Sequence, residues 1–179
     1  MRQTWQLATV TLLFGSLGCG DSGGPELHGP TTFTVALDGA RWLPDTAVSF
    51  VYGSECDTSA IISAVREVSD QEVEDVTLFL KRFPNAGRMA LSDTSTSASA
   101  VFSVTQFSGG FPVSIVSYWT RPETPGVLTI DGATRDDSLI TGHFAFEGAT
   151  IPDTGAHRRL SGQFRVRYSF QAIYTVPGC

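Results

Sequence analysis

A single lysine, Lys81, occurs in the 179 residues of this chain. Charged residues of all kinds make up only 17%, and the balance is acidic, with a formal net charge of −6. Nucleic acid is excluded as a partner, because displacing its counterions needs clustered Lys and Arg. A polybasic patch for anionic lipid headgroups is excluded on the same ground. Any membrane attachment must therefore come from something other than charge. Metal-ligand spacings are missing too: His28, His143 and His157 lie far apart, with no HxH, HExxH or CxxC pattern. Apart from the Gly20–Gly24 string taken up below, no GxSxG sequence, Cys–His pair with a free thiol, or phosphate-binding glycine loop occurs. Eighteen acids offer many carboxylate pairs, but nothing singles one out for glycoside hydrolysis. Helical periodicity is scarce, and only residues 69–75 are compatible with a helical turn.

What is present begins with an address. Arg2 gives a positive start, and residues 5–17 form an apolar stretch without charge, too short to span a bilayer. The stretch ends in Ser16-Leu17-Gly18-Cys19, which resembles the lipobox of bacterial lipoproteins, with Ser16 where that family usually has Leu. The resemblance implies a signal peptide over residues 1–18 and a diacylglycerol on Cys19. Three cysteines, Cys19, Cys56 and Cys179, are an odd number for an exported chain. With Cys19 acylated, Cys56 and Cys179 remain as a disulfide pair in an oxidising compartment. A bridge closing so long a loop is worth up to about 4–5 kcal/mol in the chain-entropy model. Residues 19–31 then read as the acylated cysteine and a flexible Gly- and Pro-rich tether. No Asp follows the cysteine, so by resemblance to other lipoproteins the destination is the outer membrane of a Gram-negative cell.

The tether contains Gly20-Asp21-Ser22-Gly23-Gly24-Pro25, a string that resembles the nucleophile motif of chymotrypsin-type serine proteases. Its context is wrong for that chemistry. In those enzymes the motif follows the triad's His and Asp, whereas here every histidine comes after it. A tether beside a lipid anchor cannot hold an oxyanion hole rigidly. The motif is a decoy, and the chain is read as non-enzymatic.

From residue 32 to residue 179 the pattern predicts one all-β domain, an antiparallel sandwich or barrel of about ten strands. Twelve Phe, with many Val and Thr, favour a pleated, half-buried surface. Strands are expected over residues 33–37, 40–42, 47–52, 60–66, 76–83, 88–91, 98–107, 113–119, 126–130, 139–146 and 160–170. Asp38-Gly39 marks a type I′ hairpin, Ser108-Gly109-Gly110 a tight turn, and Asp131-Gly132 a second Asp-Gly signal. The strand over 160–170 puts Leu160, Phe164 and Val166 on one face and Ser161, Gln163, Arg165 and Arg167 on the other. Thr141-Gly142-His143-Phe144 echoes Ser161-Gly162-Gln163-Phe164, and the two segments are expected to be neighbouring strands. The leader, residues 33–42 and the late Ser161-Gly162-Gln163-Phe164 together resemble small β-rich lipoproteins of Gram-negative bacteria. That resemblance implies architecture and address and transfers no catalytic residue.

Candidate surfaces are few. Trp119, Tyr118, Phe107 and Phe111 lie near strand ends or the Gly-Gly turn, where aromatics can stack on sugar rings or pack into a core. Arg165 and Arg167, with Arg158 and Arg159 nearby, make the one basic stripe on an acidic protein, either for an anionic partner or to balance the acidic loops. Glu67, Asp70, Glu72, Glu74 and Asp75, and the smaller group Asp131, Asp136 and Asp137, offer oxygen ligands, but neither run fits a calcium loop with its fixed glycine. A solvated charged loop is the expectation for both. No cofactor or metal is expected, the lipid anchor is the only membrane contact, and the partner is a protein or glycan. The leading expectation is a non-catalytic binding or scaffold domain. A lipocalin-like carrier is the alternative, since Gly39-Ala40-Arg41-Trp42 resembles that family's early Gly-x-Trp with one residue too many. A carbohydrate-binding surface module is the third.

Overall fold

Alternating apolar and polar residues can dry one face of a strand and wet the other, and this chain does so repeatedly. The computed structural model describes residues 31–53, 58–134 and 138–171. Cys19, Cys56 and Cys179, the leader, the tether, Asp136 and Asp137 lie outside the described residues. The elements are β1 (Thr32–Leu37), β2 (Ala40–Trp42), β3 (Thr46–Gly53), β4 (Thr58–Ser69), β5 (Glu72–Leu80), β6 (Gly87–Leu91), β7 (Ala98–Ser108), β8 (Phe111–Thr120), β9 (Gly126–Thr134), β10 (Leu139–Thr150) and β11 (His157–Gln171). The fold is all-β, as the periodicity predicts.

Two hairpins turn where the sequence signals them. Asp38 and Gly39 both take positive φ, 50° and 83°, as do Gly109 and Gly110, 59° and 85°. Positive φ at both central residues is the type I′ requirement, matching the right-handed twist of the flanking strands. Two other expectations fail. Within residues 69–75, only Asp70 and Gln71 form a turn, the β4–β5 hairpin, and β5 starts at Glu72, because the ladder pairing Glu67 with Val73 and Ser69 with Glu72 supplies the backbone bonds a helix would have used. Asp131-Gly132 is no turn: β9 runs on to Thr134, and Thr141 pairs Gly132 while Gly142 pairs Ile130. Asp131 is therefore the extra residue of a β-bulge.

The strands pair around a closed path. β3 pairs β4, β4 pairs β5, β5 pairs β7, β7 pairs β8, β8 pairs β10, β10 pairs β11, and β11 returns to β3. Closure of hydrogen-bonded neighbours is the mark of a barrel, which leaves few free edges. Most pairings are antiparallel, but β11–β3 and the short β6–β7 contact are parallel. Several edges are shared. β10 is covered by β9 along Leu139–Ala145 and by β8 only at Gly148–Thr150. At the junction of β7 and β8, fully buried Thr120 uses its hydroxyl as a backbone would, accepting from Ala100 N at 3.2 Å and facing Ala100 O at 3.3 Å.

Side chains fill the interior. Ile62, Val76, Leu78, Phe102, Leu128, Ile130, Ile140 and Val166 are essentially inaccessible. Burying each such side chain contributes about 1.5–3 kcal/mol, against about 0–1 kcal/mol for an exposed ion pair. The core, not surface charge, therefore holds the barrel. The echo between β10 and β11 has a structural meaning: Gly142 pairs with Phe164, and Phe144 with Gly162. Each ring lies over the opposing glycine, so the two Thr/Ser-Gly-x-Phe segments interlock reciprocally. Phe33 of β1 packs on both rings, at 5.9 Å from Phe144 and 6.0 Å from Phe164.

Candidate functional site

The outer face of β8 alternates out of register with the core. Tyr118 points inward against Phe102, with ring centroids 6.0 Å apart. Trp119, Ser117, Ile115 and Val113 follow the opposite face, and Phe111 begins the strand after the Gly-Gly turn. Trp119 is half-buried, stacked on Phe79 of β5 at 6.1 Å with 13° between the planes. Towards the turn the cover ends: Phe111 is 74% exposed, Val113 64% and Ile115 62%. Val116, on the other face, is also exposed.

The backbone is open along the same stretch. β8 pairs β7 from Phe111 to Trp119, but β10 takes up its other edge only at Tyr118–Thr120. Among the described residues, none pairs with that edge over residues 111–117. Exposed Ile151 stands just past the last β10–β8 pair, at the mouth of this open edge. An apolar strand edge is a template for a further strand, and proteins usually blunt such edges with charge, proline or a bulge. Here no charged residue occurs between Asp93 and Arg121. Pro112, which offers no N–H, and Val113, left without a β7 partner where the register shifts between Gln106 and Phe107, blunt the turn end of this edge.

Inward along the same face the chemistry becomes polar. Ser103 and Ser117 hydroxyls lie 3.2 Å apart across β7 and β8, and Ser63 and Thr77 3.0 Å apart across β4 and β5. Asp75 stands between these pairs in register, opposite Val65 and Ser103, and accepts a hydrogen bond from the Thr77 hydroxyl at 3.2 Å. Burial pushes its carboxyl up to about 6, the Thr77 bond opposing the shift.

The remaining acidic run is dispersed by the pleat. Glu74 accepts the Trp42 indole N–H at 2.6 Å and faces Arg66 at 3.8 Å, tying β2 and β4 to β5. The expectation of a solvated loop is thus corrected for Glu74 and Asp75, which belong to β5 and are half-buried. Among the described residues, no group of three or more His, Cys, Asp or Glu is placed to hold a metal ion. His143 is exposed, 3.4 Å from Asp131.

Comparison with protein-family models, with curated proteins and with solved structures finds no match to this chain. The reading of the site therefore rests on its own geometry.

The arginines divide into two groups. Arg158 pairs with Asp38 at 2.8 Å and lies over the Tyr118 ring at 5.7 Å, while Arg159 pairs with Glu147 at 2.8 Å. The Arg159 backbone N–H and then the Arg158 guanidinium hold the Asp38 carboxyl below its ordinary value, and the Arg159 side chain does the same for Glu147. These two arginines thus knit the β1–β2 turn and β10 to β11. Arg165 and Arg167 sit half-buried further along β11, opposite Thr141 and Leu139. Trp119 is opposite Ala149 of β10. By strand rise, Thr141 and Ala149 are roughly 25 Å apart. The fold does not bring Arg165 and Arg167 together with Trp119 into one surface. Of the aromatic candidates, Tyr118 belongs to the core, Phe107 is half-buried and Phe111 is presented to solvent. The charge-free run between Asp93 and Arg121 is the sequence signal that marks the open edge.

Proposed function

We propose that this chain is an envelope lipoprotein of a Gram-negative bacterium, held at the outer membrane by acylated Cys19, with a non-catalytic binding or scaffold domain. The observation that carries the binding role is the β8 edge, apolar, uncharged and open on an otherwise acidic protein. Large exposed apolar patches mark sites of association. The filled interior weighs against the lipocalin-like carrier, which needs an open cavity in the barrel. Trp119, with one ring face already stacked on Phe79, weighs less for sugar stacking than a fully presented ring would. Cys56 and Cys179 form the disulfide of the exported domain in this reading.

Cys19→Ala tests the anchor. The variant is expected to move from the membrane fraction to the soluble envelope fraction, because nothing else described attaches the chain to lipid. Continued membrane association would refute acylation at Cys19. The intact mass of that soluble variant, taken with and without reductant, reads the bridge. An unreduced mass two hydrogens below the reduced one is expected, and equal masses would show two free thiols.

A further inference from the structure

Between Asp75 and Asp93 the sequence holds Lys81, Arg82 and Arg88 and no acid, on a chain whose net charge is −6. The fold gathers both arginines at one cleft. The connection from β5 to β6, the start of β6 and residues 96–97 before β7 enclose about 370 Å³, a volume within the range of small-molecule sites. Arg82 and Arg88 line it with Asn85, Thr96 and Ser97, and no carboxylate does. Its apolar lining is anchored, because Phe83 and Met89 both pack on the core and Phe83 meets Tyr168 edge-on at 5.5 Å. The turn carrying Thr96 and Ser97 is anchored too. The Lys81 backbone N–H donates to the Ser97 carbonyl at 2.9 Å, and its ammonium donates to the Ser95 carbonyl. The Ser95 hydroxyl accepts from the N–H groups of Ser97 and Ala98 at 3.1 and 3.3 Å.

The polar lining of this cleft is unspent. Arg66, Arg121, Arg158 and Arg159 each face a carboxylate within 4 Å. Among the described residues, none engages the guanidinium of Arg82 or Arg88, and none hydrogen-bonds the side chains of Asn85, Thr96 or Ser97. Asp93, the next acid along the chain, faces Arg121 at 3.7 Å. We propose that the cleft binds an acidic sugar. Guanidinium forks match a carboxylate or a phosphate. The amide and the two hydroxyls match ring hydroxyls, and Phe83 with Met89 offers an apolar wall to the C–H face of the ring. A bare anion leaves the amide, hydroxyls and apolar wall unused, and a neutral sugar leaves the guanidiniums unused. No residue of β8 lines the cleft, so this site is separate from the β8 edge.

The test is calorimetric titration of the full chain carrying Cys19→Ala with glucuronate, glucose 6-phosphate, glucose and inorganic phosphate. At least one of the two acidic sugars is expected to bind with a Kd of about 1 mM or below, and the tighter one tells carboxylate from phosphate. Glucose and inorganic phosphate should each bind at least about tenfold more weakly. Arg82→Gln and Arg88→Gln should each weaken the acidic sugar about tenfold or more, and Arg82→Lys, which keeps the charge and loses the fork, should fall between. Both arginines are exposed, and circular dichroism checks that the variants stay folded. Arg41→Gln is the control, since β2 lies five strand spacings from β6, roughly 24 Å across the sheet. It removes the same charge and should leave binding unchanged. No binding of either acidic sugar up to about 10 mM overturns the inference. Equal losses in Arg41→Gln and Arg82→Gln would overturn it as well, by assigning the binding to net charge. Inorganic phosphate binding as tightly as glucose 6-phosphate would refute the sugar.

Discussion

Gly162→Ala is expected to destabilise the domain by about 3 kcal/mol or more, read as a fall of roughly 10 °C in Tm or the equivalent drop in urea midpoint. The reason lies in the β10–β11 interlock. A methyl group on Gly162 would overlap the backbone carbonyl oxygen of Thr34 and come within 2.9 Å of Phe144 Cζ. The carbonyl belongs to the neighbouring strand β1 and cannot swing aside without breaking the β1–β11 ladder. Gly142→Ala should behave alike, since its methyl would overlap the Thr129 carbonyl and approach Phe164 Cζ to 2.8 Å. Gly132→Ala is the internal comparison. Its nearest contact would be Thr141 Oγ1 at 3.4 Å, an ordinary distance, and its effect should stay below about 1 kcal/mol. Equal losses at Gly162 and Gly132 would mean that strand flexibility, not the ring-over-glycine contact, sets the cost.

Asp75→Asn should stabilise the protein by about 2 kcal/mol near pH 7.5 and by almost nothing near pH 4. In the folded state burial raises the Asp75 carboxyl from 3.8 to about 6. Between those two values the folded protein binds more protons than the unfolded chain. The Asp75 contribution is therefore fully favourable below the unfolded value, declines as pH rises through the window, and levels off above about 6. Asparagine removes the charge and keeps an oxygen to accept the Thr77 hydroxyl. Urea unfolding of both proteins at the two pH values reads the difference. The same gain at both would assign it to packing, and no gain at either would mean that water reaches the carboxylate freely.

The strands were legible wherever alternation was clean. Leu160, Phe164 and Val166 point inward and Ser161 and Gln163 outward, as period 2 requires. The Thr141 and Ser161 segments are paired neighbours, as their likeness suggests, but likeness alone did not show that each glycine makes room for the other strand's ring. Local signals misled where pairing overrode them. Asp131-Gly132 has the composition of a turn, yet the β10 ladder absorbs it as a bulge because the cross-strand bonds on both sides outweigh one local preference. The acids of residues 67–75 read as a solvated loop. The ladder instead puts Glu67 on β4, leaves Asp70 in the turn, spreads Glu72, Glu74 and Asp75 over both faces of β5, and half-buries Asp75.

The candidate site was less visible, because an edge is a property of neighbours. Phe111 and Trp119 stood out as aromatics, and nothing local told them apart; the structure stacks Trp119 on Phe79 and leaves Phe111 in water. The basic stripe also changed meaning once Arg158 and Arg159 met Asp38 and Glu147, partners distant along the chain or on another strand.

Composition and alternation by themselves determined that this chain would form an all-β domain with little surface charge, since side-chain shape and period act residue by residue. Long-range pairing alone decided that the strands close into a ring, that its interior is filled, and that β8 outruns β10, so that among the described residues none pairs with its second edge over residues 111–117. Those outcomes depend on which strands meet and for how many residues, and backbone hydrogen bonds carry no sequence label that a single strand could reveal.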